Sequence, residues 1–539
     1  MSKRLAVTIA GAVSLGSFEA GVMYEVIRAI GEHNESAAQE DQILIDVLTG
    51  ASAGGMTAAV TAQKLMFESA ALGGPYTNDL YRAWVRDIDI SELLGDHPDD
   101  SDTKSIFSSG YVEDLSKRCI TARYNAGPPP LRQKHQAAAD KIWLGLALAN
   151  LNGVDYGLKT SAGDFTYTCF QDSFLRPVEN TPVFDTFAYW EPIRNAAVSS
   201  GAFPFAFRPV EMVRHPCEYL SPNLESTILA NQNFCYTDGG TFQNQPLGMA
   251  KNLVDIVDPT HTNTAGRYYL FVSPRDKTSD ASQALNADNA DFIPFAKDLV
   301  SVVYHQAQFQ DWIMAEEVNG QIALLDARAE ELSRLLKDQP ANAAVLRPAS
   351  QLLLSALFPG VDPQSSGSNP INDARDRLRI LYKAECAALP ADAQHVLIDC
   401  VLALEKAACL GEKDEMNILG ITASDGELAG AKLACFAGFF DIKYRKHDYD
   451  LGRIKARSFL LAGNSPLGRI NYHPEEIAPL EDFGDLNVED IDKKSRENVY
   501  DRFEDRILRA LAAANIGLVE RKALYEVVIR PRLKNVLGL

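Results

Sequence analysis

Long hydrophobic runs are missing from this 539-residue chain. The longest, around Leu5–Leu15 and Ile142–Leu151, fall well short of the roughly 18 apolar residues that cross a bilayer, so no membrane-spanning helix is expected. Basic residues are in deficit. Fifty-two Lys and Arg against 72 Asp and Glu leave a formal charge of −20, which argues against a nucleic-acid binder and against attachment to anionic lipid by charge alone. Cysteine is sparse, at positions 119, 169, 217, 235, 386, 400, 409 and 435, with no C-x-x-C pair. Buried free thiols in a reducing compartment are the expectation, rather than a disulfide framework. The nine histidines are scattered, so nothing in the spacing calls for a metal or a cofactor.

What is present is a normal globular balance, 46% hydrophobic and 23% charged, with ample material for a large core. The opening MSKRLAVTIAGAVSLG has the composition of a signal peptide. It reads better as a strand (Arg4–Ala10), a glycine turn and a helix over 17–31, and a cytoplasmic or peripheral-membrane location is expected. A strand over 43–49 and a helix over 54–69 follow. Two βα units in succession predict an α/β fold with a mostly parallel sheet and helices on its faces. Residues 77–118 look like an insertion, followed by the stiff loop Ala126–Pro130. Core strands are predicted at 142–151 and 165–171, separated by a turn at Asn152-Gly153. A helix over 194–203 and strands at 233–237 and 267–273 complete this part.

Beyond about residue 275 the texture changes. Asp276–Asn289 is polar, and a helical pattern runs from about 291, broken at Pro359–Asp373. Residues 471–493 are acidic, and Tyr500, Phe503, Ile507, Leu508 and Leu511 mark one helix face. The expected organisation is a catalytic domain over 1–275, with an insertion at about 77–140, and a mainly helical region over 276–539 docked on it.

Three short constellations carry chemistry. ILIDVLTGASAGGM (43–56) is an apolar strand, then Gly50-Ala51-Ser52-Ala53-Gly54, then a helix-forming stretch. That is the pattern of a nucleophile elbow, in which one serine sits on a sharp turn at a helix N-terminus. Tyr236-Thr237-Asp238-Gly239-Gly240 is a short strand closed by an aspartate and two glycines, a carboxylate placed to act as base. Gly11-Ala12-Val13-Ser14-Leu15-Gly16 joins the first strand to its helix. Parallel strands put their C-terminal ends together, so this turn should neighbour Ser52 and offer amides to an oxyanion. The order excludes an α/β-hydrolase, whose serine follows several strands.

These elements, in this order, resemble the patatin-like phospholipases. Leu148-Ala149-Asn150-Leu151-Asn152-Gly153-Val154 and Ala196-Ala197-Val198-Ser199-Ser200-Gly201-Ala202-Phe203-Pro204 extend the likeness, as do Asn244 and Pro246. Phe439–Arg453 is similar to the C-terminal part of long bacterial members. The resemblance implies a three-layer α/β/α core and a Ser52–Asp238 dyad without histidine. It also implies an oxyanion loop at Gly11–Gly16 and motif glycines at Gly50, Gly54, Gly239 and Gly240. One departure stands out. The family's loop reads G-G-G-x-[RK]-G, whereas Ala12, Val13 and Leu15 replace two glycines and the basic residue. Ala and Val do not readily take up φ > 0.

The implied function is a lipid acyl hydrolase working through an acyl-enzyme, with a lipid or other acyl ester as partner and local apolar contact with a membrane. A catalytically silent lipid-binding or scaffold protein is the alternative, and a Ser-His-Asp arrangement using His447 a third. Residues 441–469 carry seven basic residues (Lys443, Arg445, Lys446, Arg453, Lys455, Arg457, Arg469) against Asp441, Asp448 and Asp450. The aromatics among them suggest packing against the catalytic domain rather than an open lipid-binding surface.

Overall fold

In the computed structural model the described residues are 2–100, 105–160, 163–219, 225–226, 228–259, 266–274, 292–408, 410, 416–424, 426–432, 437–484, 486–513 and 517–539. The polar stretch Asp276–Asn289, Cys409 and Cys435 lie outside them. The first unit opens with β1 (Lys3–Ile9), α1 (Gly16–Ser36), β2 (Ile43–Gly50) and α2 (Ala53–Phe67). A long hairpin, β3 (Ala138–Thr160) and β4 (Gly163–Glu179), leads into α3 (Phe187–Ser200), β5 (Val210–Arg214), β6 (Glu225–Ser226) and β7 (Gln232–Asp238). Helix α4 (Leu247–Val257) and β8 (Arg267–Ser273) follow.

These strands, with β9 (Ile418–Thr422), form a mixed sheet of order β5-β7-β3-β2-β1-β8-β9, with β4 and β6 on β3. The central run from β3 to β9 is parallel. Its strands are near-continuous apolar runs, as burial on both faces requires: Leu5, Val7, Ile9, Ile43, Ile45 and Leu48 are all fully buried. The fold is the mixed α/β sheet with flanking helices that the βα pattern predicted.

Three details differ from expectation. Asn152-Gly153 is no hairpin turn. Pairing of β3 with β4 shifts between Ala149 and Val154 and then continues to Thr160. The Asn150 side chain accepts the amides of Asn152 and Gly153 at 3.0 and 3.1 Å, with Gly153 at φ +73°. An Asn-Gly pair here makes a bulge inside one long strand. Residues 165–171 are strand but not core: Phe165, Tyr167 and Phe170 are exposed, and β4 enters the core at Phe174 and Val178. Cysteine burial was also over-read. Of the free thiols described, Cys119 and Cys386 are buried, Cys169, Cys235 and Cys400 are partly exposed, and Cys217 is exposed.

The chain divides into two compact units. One comprises Met1–Val254, Gly266–Gln310 and Ile418–Leu539, and the other Asp255–Ala265 and Asp311–Asn417. The second is helical, with α5 (Asn342–Leu357), α6 (Pro370–Leu381) and α7 (Ala391–Ala407) around Leu354, Leu378 and Leu397. Arg375 and Asp399 form a bidentate pair at 2.6 and 3.0 Å between α6 and α7.

In the first unit, α8 (Ile442–Leu460) lies along α1. The two helices approach closely because each carries a glycine at the crossing. A Cβ at Gly21 would overlap the Tyr449 carbonyl, and one at Gly452 the Phe18 carbonyl. Glu25 of α1, fully buried, accepts Arg453 Nε at 3.1 Å and also bonds Arg457 and Tyr472. Asp450 accepts Arg453 Nη1 and Tyr76 Oη, both at 3.1 Å. The stripe at 500–511 lies on α9 (Lys493–Ala513), where Phe503 meets Phe107 edge-on at 5.6 Å and Leu508 faces solvent. No helix among the described residues is long and apolar enough to cross a membrane.

Candidate active site

β1, β2 and β7 end beside one another, and their last residues build the site. Ser52 stands between β2 and α2 with φ +54° and ψ −127°, a conformation that costs a non-glycine residue about 1–3 kcal/mol. The turn is held from three sides. Ser52 N–H donates to Ser200 Oγ at 3.0 Å, Ala51 N–H to the Ile9 carbonyl at 3.3 Å, and Met56 N–H to the Ser52 carbonyl at 3.2 Å. Gly54 packs so closely that a Cβ would overlap the carbonyls of Ile9 and Ala10. Ser200 closes α3, within the small-residue segment 196–204.

Asp238 ends β7, opposite Leu148 of β3. Its N–H donates to the Ala202 carbonyl at 3.0 Å, and Thr237 Oγ1 donates to the same oxygen at 2.7 Å. The carboxylate is buried. Ser52 Oγ donates to Oδ2 at 2.6 Å and Gly240 N–H to Oδ1 at 2.7 Å. Burial pushes the carboxyl up to about 7, against the lowering effect of those two hydrogen bonds. A buried carboxylate half-ionised near neutrality, already bonded to a serine hydroxyl, has the geometry and basicity to take that proton.

This shift has a thermodynamic signature. The folded-state value lies above the ordinary 3.9 of an unfolded Asp. The contribution of Asp238 to stability is therefore complete below about pH 4 and is lost as pH rises through about 7. Asp238→Asn, which removes the titration, should gain melting temperature relative to wild type between pH 5 and pH 8, by a few degrees, as read by calorimetry.

The Gly11–Gly16 turn lies against Ser52: a Cβ at Gly11 would overlap Asn244 Oδ1 and come within 3.1 Å of Ser52 Cβ. Half of its amides are spent on the turn itself. Gly11 N–H bonds the Asn244 carbonyl at 3.0 Å, Leu15 N–H the Ala12 carbonyl at 3.0 Å, and Gly16 N–H the Val13 and Ser14 carbonyls. Ala12 and Val13, which directly follow Gly11, are the turn's candidate donors to an oxyanion. Val13, a β-branched residue, adopts φ +52°. The left-handed conformation that seemed barred to it is thus present, at a cost of about 1–3 kcal/mol. Leu15, where a basic residue was expected from the likeness, is fully buried. Gly50, Gly54, Gly239 and Gly240 all have negative φ; they supply space rather than special dihedrals. Gly239, for instance, sits on the Ala147 carbonyl.

An apolar pocket opens from Ser52. One wall comes from the region read as an insertion, through Trp84, Ile88, Val112, Leu115 and Ile120, and Phe439 closes part of it from the C-terminal segment. Gly16 leaves room for the Trp84 ring, which a Cβ would meet at 2.6 Å. Cys119 also lines the pocket, and burial pushes its thiol up to about 12, so it is wall rather than nucleophile. The sequence pattern at 77–118 marks an insertion, and nothing in it assigns these residues to the site. His447 does not bond Ser52. Its Nδ1 faces Asp448 Oδ1 at 3.0 Å, and the serine's hydrogen bond goes to Asp238. Among the described residues no group of three or more His, Cys, Asp or Glu could hold a metal ion.

A serine on a strand–helix elbow is thus bonded to a buried aspartate beside an apolar pocket, on a mixed α/β sheet. Residues 7–251 match the patatin-like phospholipase family. The chain is also 21% identical over 353 residues to the uncharacterized protein y4iI of Sinorhizobium fredii, covering 50% of this chain and 49% of that protein. It thus spans about half the length of the curated relative it matches.

Proposed function

We propose that the protein cleaves carboxylic esters of lipids through an acyl-enzyme, with Ser52 as nucleophile and Asp238 as its base. The observation that carries this reading is the 2.6 Å Ser52 Oγ–Asp238 Oδ2 hydrogen bond in a buried setting. Ser52 Oγ attacks the acyl carbon while its proton passes to Asp238. The carbonyl oxygen becomes an oxyanion facing the Ala12 and Val13 amides. Collapse expels the alcohol, protonated by Asp238, and leaves the acyl group on Ser52. Asp238 then deprotonates a water that attacks the ester carbon, and returns that proton to Ser52 Oγ as the C–O bond breaks and the fatty acid leaves. The apolar pocket suits a hydrocarbon chain: its lining is almost entirely aliphatic and aromatic. A screen of acyl esters with wild type beside Ser52→Ala tests this. Hydrolysis lost in the variant supports the reading, and equal hydrolysis by both defeats it.

The silent-scaffold alternative draws on the strained, glycine-poor turn. A serine-directed phosphonate separates the two, since a scaffold with an unformed oxyanion site would leave Ser52 unlabelled.

Local apolar contact with the lipid surface is favoured by Phe205. It lies between the pocket-lining Phe203 and Phe207, has φ +68°, and is 81% exposed. A strained backbone that turns a large ring into water implies another environment for the ring. Phe205→Asp should weaken adsorption to phosphatidylcholine vesicles at least about fivefold in a sedimentation assay. Turnover of a water-soluble short-chain ester should stay within about twofold.

A further inference from the structure

We infer that residues 428–432 and 437–448 form a buttress that holds the Gly11–Gly16 turn in its oxyanion-binding shape, with Asp448 as the positioning residue. The inference rests on the hydrolase reading above.

The turn cannot hold itself as a glycine loop would. Val13 has φ +52°, and a β-branched residue stays there only where its surroundings leave no other choice. Those surroundings come from far along the chain. Ser14 and Leu15, the residues after Val13, are buried beneath two glycines of the C-terminal segment. A Cβ at Gly430 would lie 2.7 Å from Leu15 Cδ2 and 3.2 Å from Ser14 Oγ. One at Gly438 would lie 2.5 Å from Ser14 Oγ and 3.3 Å from Ser14 Cβ. The fit leaves no room for even a methyl group.

Both glycines are themselves fixed. Asp448, buried, accepts the Ala429 amide on Oδ1 at 2.8 Å and the Gly430 amide on Oδ2 at 2.9 Å. Arg445 donates to the carbonyls of Gly438 and Phe439 at 3.4 and 2.7 Å. Asp448 and Arg445 both project from α8, which the Glu25 cluster fastens to α1, the helix that follows the turn. The path from carboxylate to oxyanion donor is a closed ring of packed contacts. The conformation that glycines would permit inside the loop is here imposed from outside it.

An oxyanion donor acts in the transition state, so disturbing the buttress should lower kcat and leave KM in place. The test is Gly438→Ala in two backgrounds, wild type and Val13→Gly, with Asp448→Asn as a second disturbance should the alanine variant fail to fold. Gly438→Ala should lower kcat for a soluble ester by about 10–100-fold with KM within about twofold, less than the roughly 100–1,000-fold cost of deleting a donor outright, because the amide is displaced rather than removed. In the Val13→Gly background the same change should cost less than about threefold, because glycine reaches φ > 0 unaided. A crystal structure of Gly438→Ala should show Val13 out of the left-handed region. Equal losses in both backgrounds, a loss below twofold in wild type, or Val13 unmoved in the crystal would each overturn the buttress. Absence of esterase activity from wild type would overturn the hydrolase reading instead, and the Val13 conformation in the variant crystal would still decide the buttress.

Discussion

Ser52→Ala and Asp238→Asn should each lower ester turnover by at least about a thousandfold while leaving the fold intact. On the proposed mechanism each removes one half of a single proton-transfer unit. Ser52 Oγ has its hydrogen bond to Asp238 Oδ2, and the other carboxylate oxygen is engaged by Gly240 N–H. The effects should not add: the double variant should be about as slow as either single one. Steady-state kinetics on one soluble ester, with circular dichroism to verify folding, measures this. Near wild-type turnover in Asp238→Asn would remove the aspartate from the mechanism. The measurable effect is large because the environment has been prepared for it. Burial raises the carboxyl to about 7, near the operating pH at which a general base is most effective.

Removal of everything after residue 440 should abolish soluble expression. The buried Glu25 carboxylate would lose Arg453, Arg457 and Tyr472 together, and an unpaired buried charge costs about 3–5 kcal/mol. The face of α1 now covered by α8 would be laid open; Phe18, Val22 and Tyr24 are fully or almost fully buried. A gentler probe is Gly452→Val, whose side chain would be driven into the Phe18 carbonyl. Overpacking of this kind costs about 1–3 kcal/mol and should lower the melting temperature by roughly 1–4 °C in a unit of this size. A soluble, active truncation that loses only its affinity for anionic vesicles would mean that the basic residues at 441–469 serve a lipid surface. The contacts of Arg445, Arg453 and Arg457, directed into the fold, predict otherwise.

Much of this arrangement was legible in the residues. A strand, a serine between glycines and a helix can be read at 43–67 because the nucleophile turn has few chemical solutions. Asp238 followed by two glycines is readable for the same reason. Parallel-strand topology predicted that the Gly11–Gly16 turn neighbours Ser52; Asp238 instead reaches the serine from β7, which runs antiparallel to β3, and that pairing could not be read. What could not be read was long-range. The apolar positions at 83–120 have ordinary helical spacing, and only tertiary contact turns Trp84 and Leu115 into the wall of a pocket. ILGIT at 418–422 lies in a region of helical pattern, and pairing with β8 makes it a strand. Asn152-Gly153 carries a strong hairpin signal, yet Asn150 captures both amides and holds the pair within a continuing strand. The six-residue turn at 11–16 looked like a row of equivalent amides. Which of them are already spent depends on Asn244, more than 200 residues away.

The central claim is that Asp238 activates Ser52, and the rate at which a fluorophosphonate labels Ser52 as a function of pH tests it most directly. Intact-mass and peptide mass spectrometry should find one adduct, on Ser52. Its rate of formation should rise with pH through an apparent value near 7, following ionisation of the Asp238 carboxyl, and should fall at least about a hundredfold in Asp238→Asn. Folded protein that takes up no label, a label on another residue, or a rate indifferent to Asp238 would contradict the account.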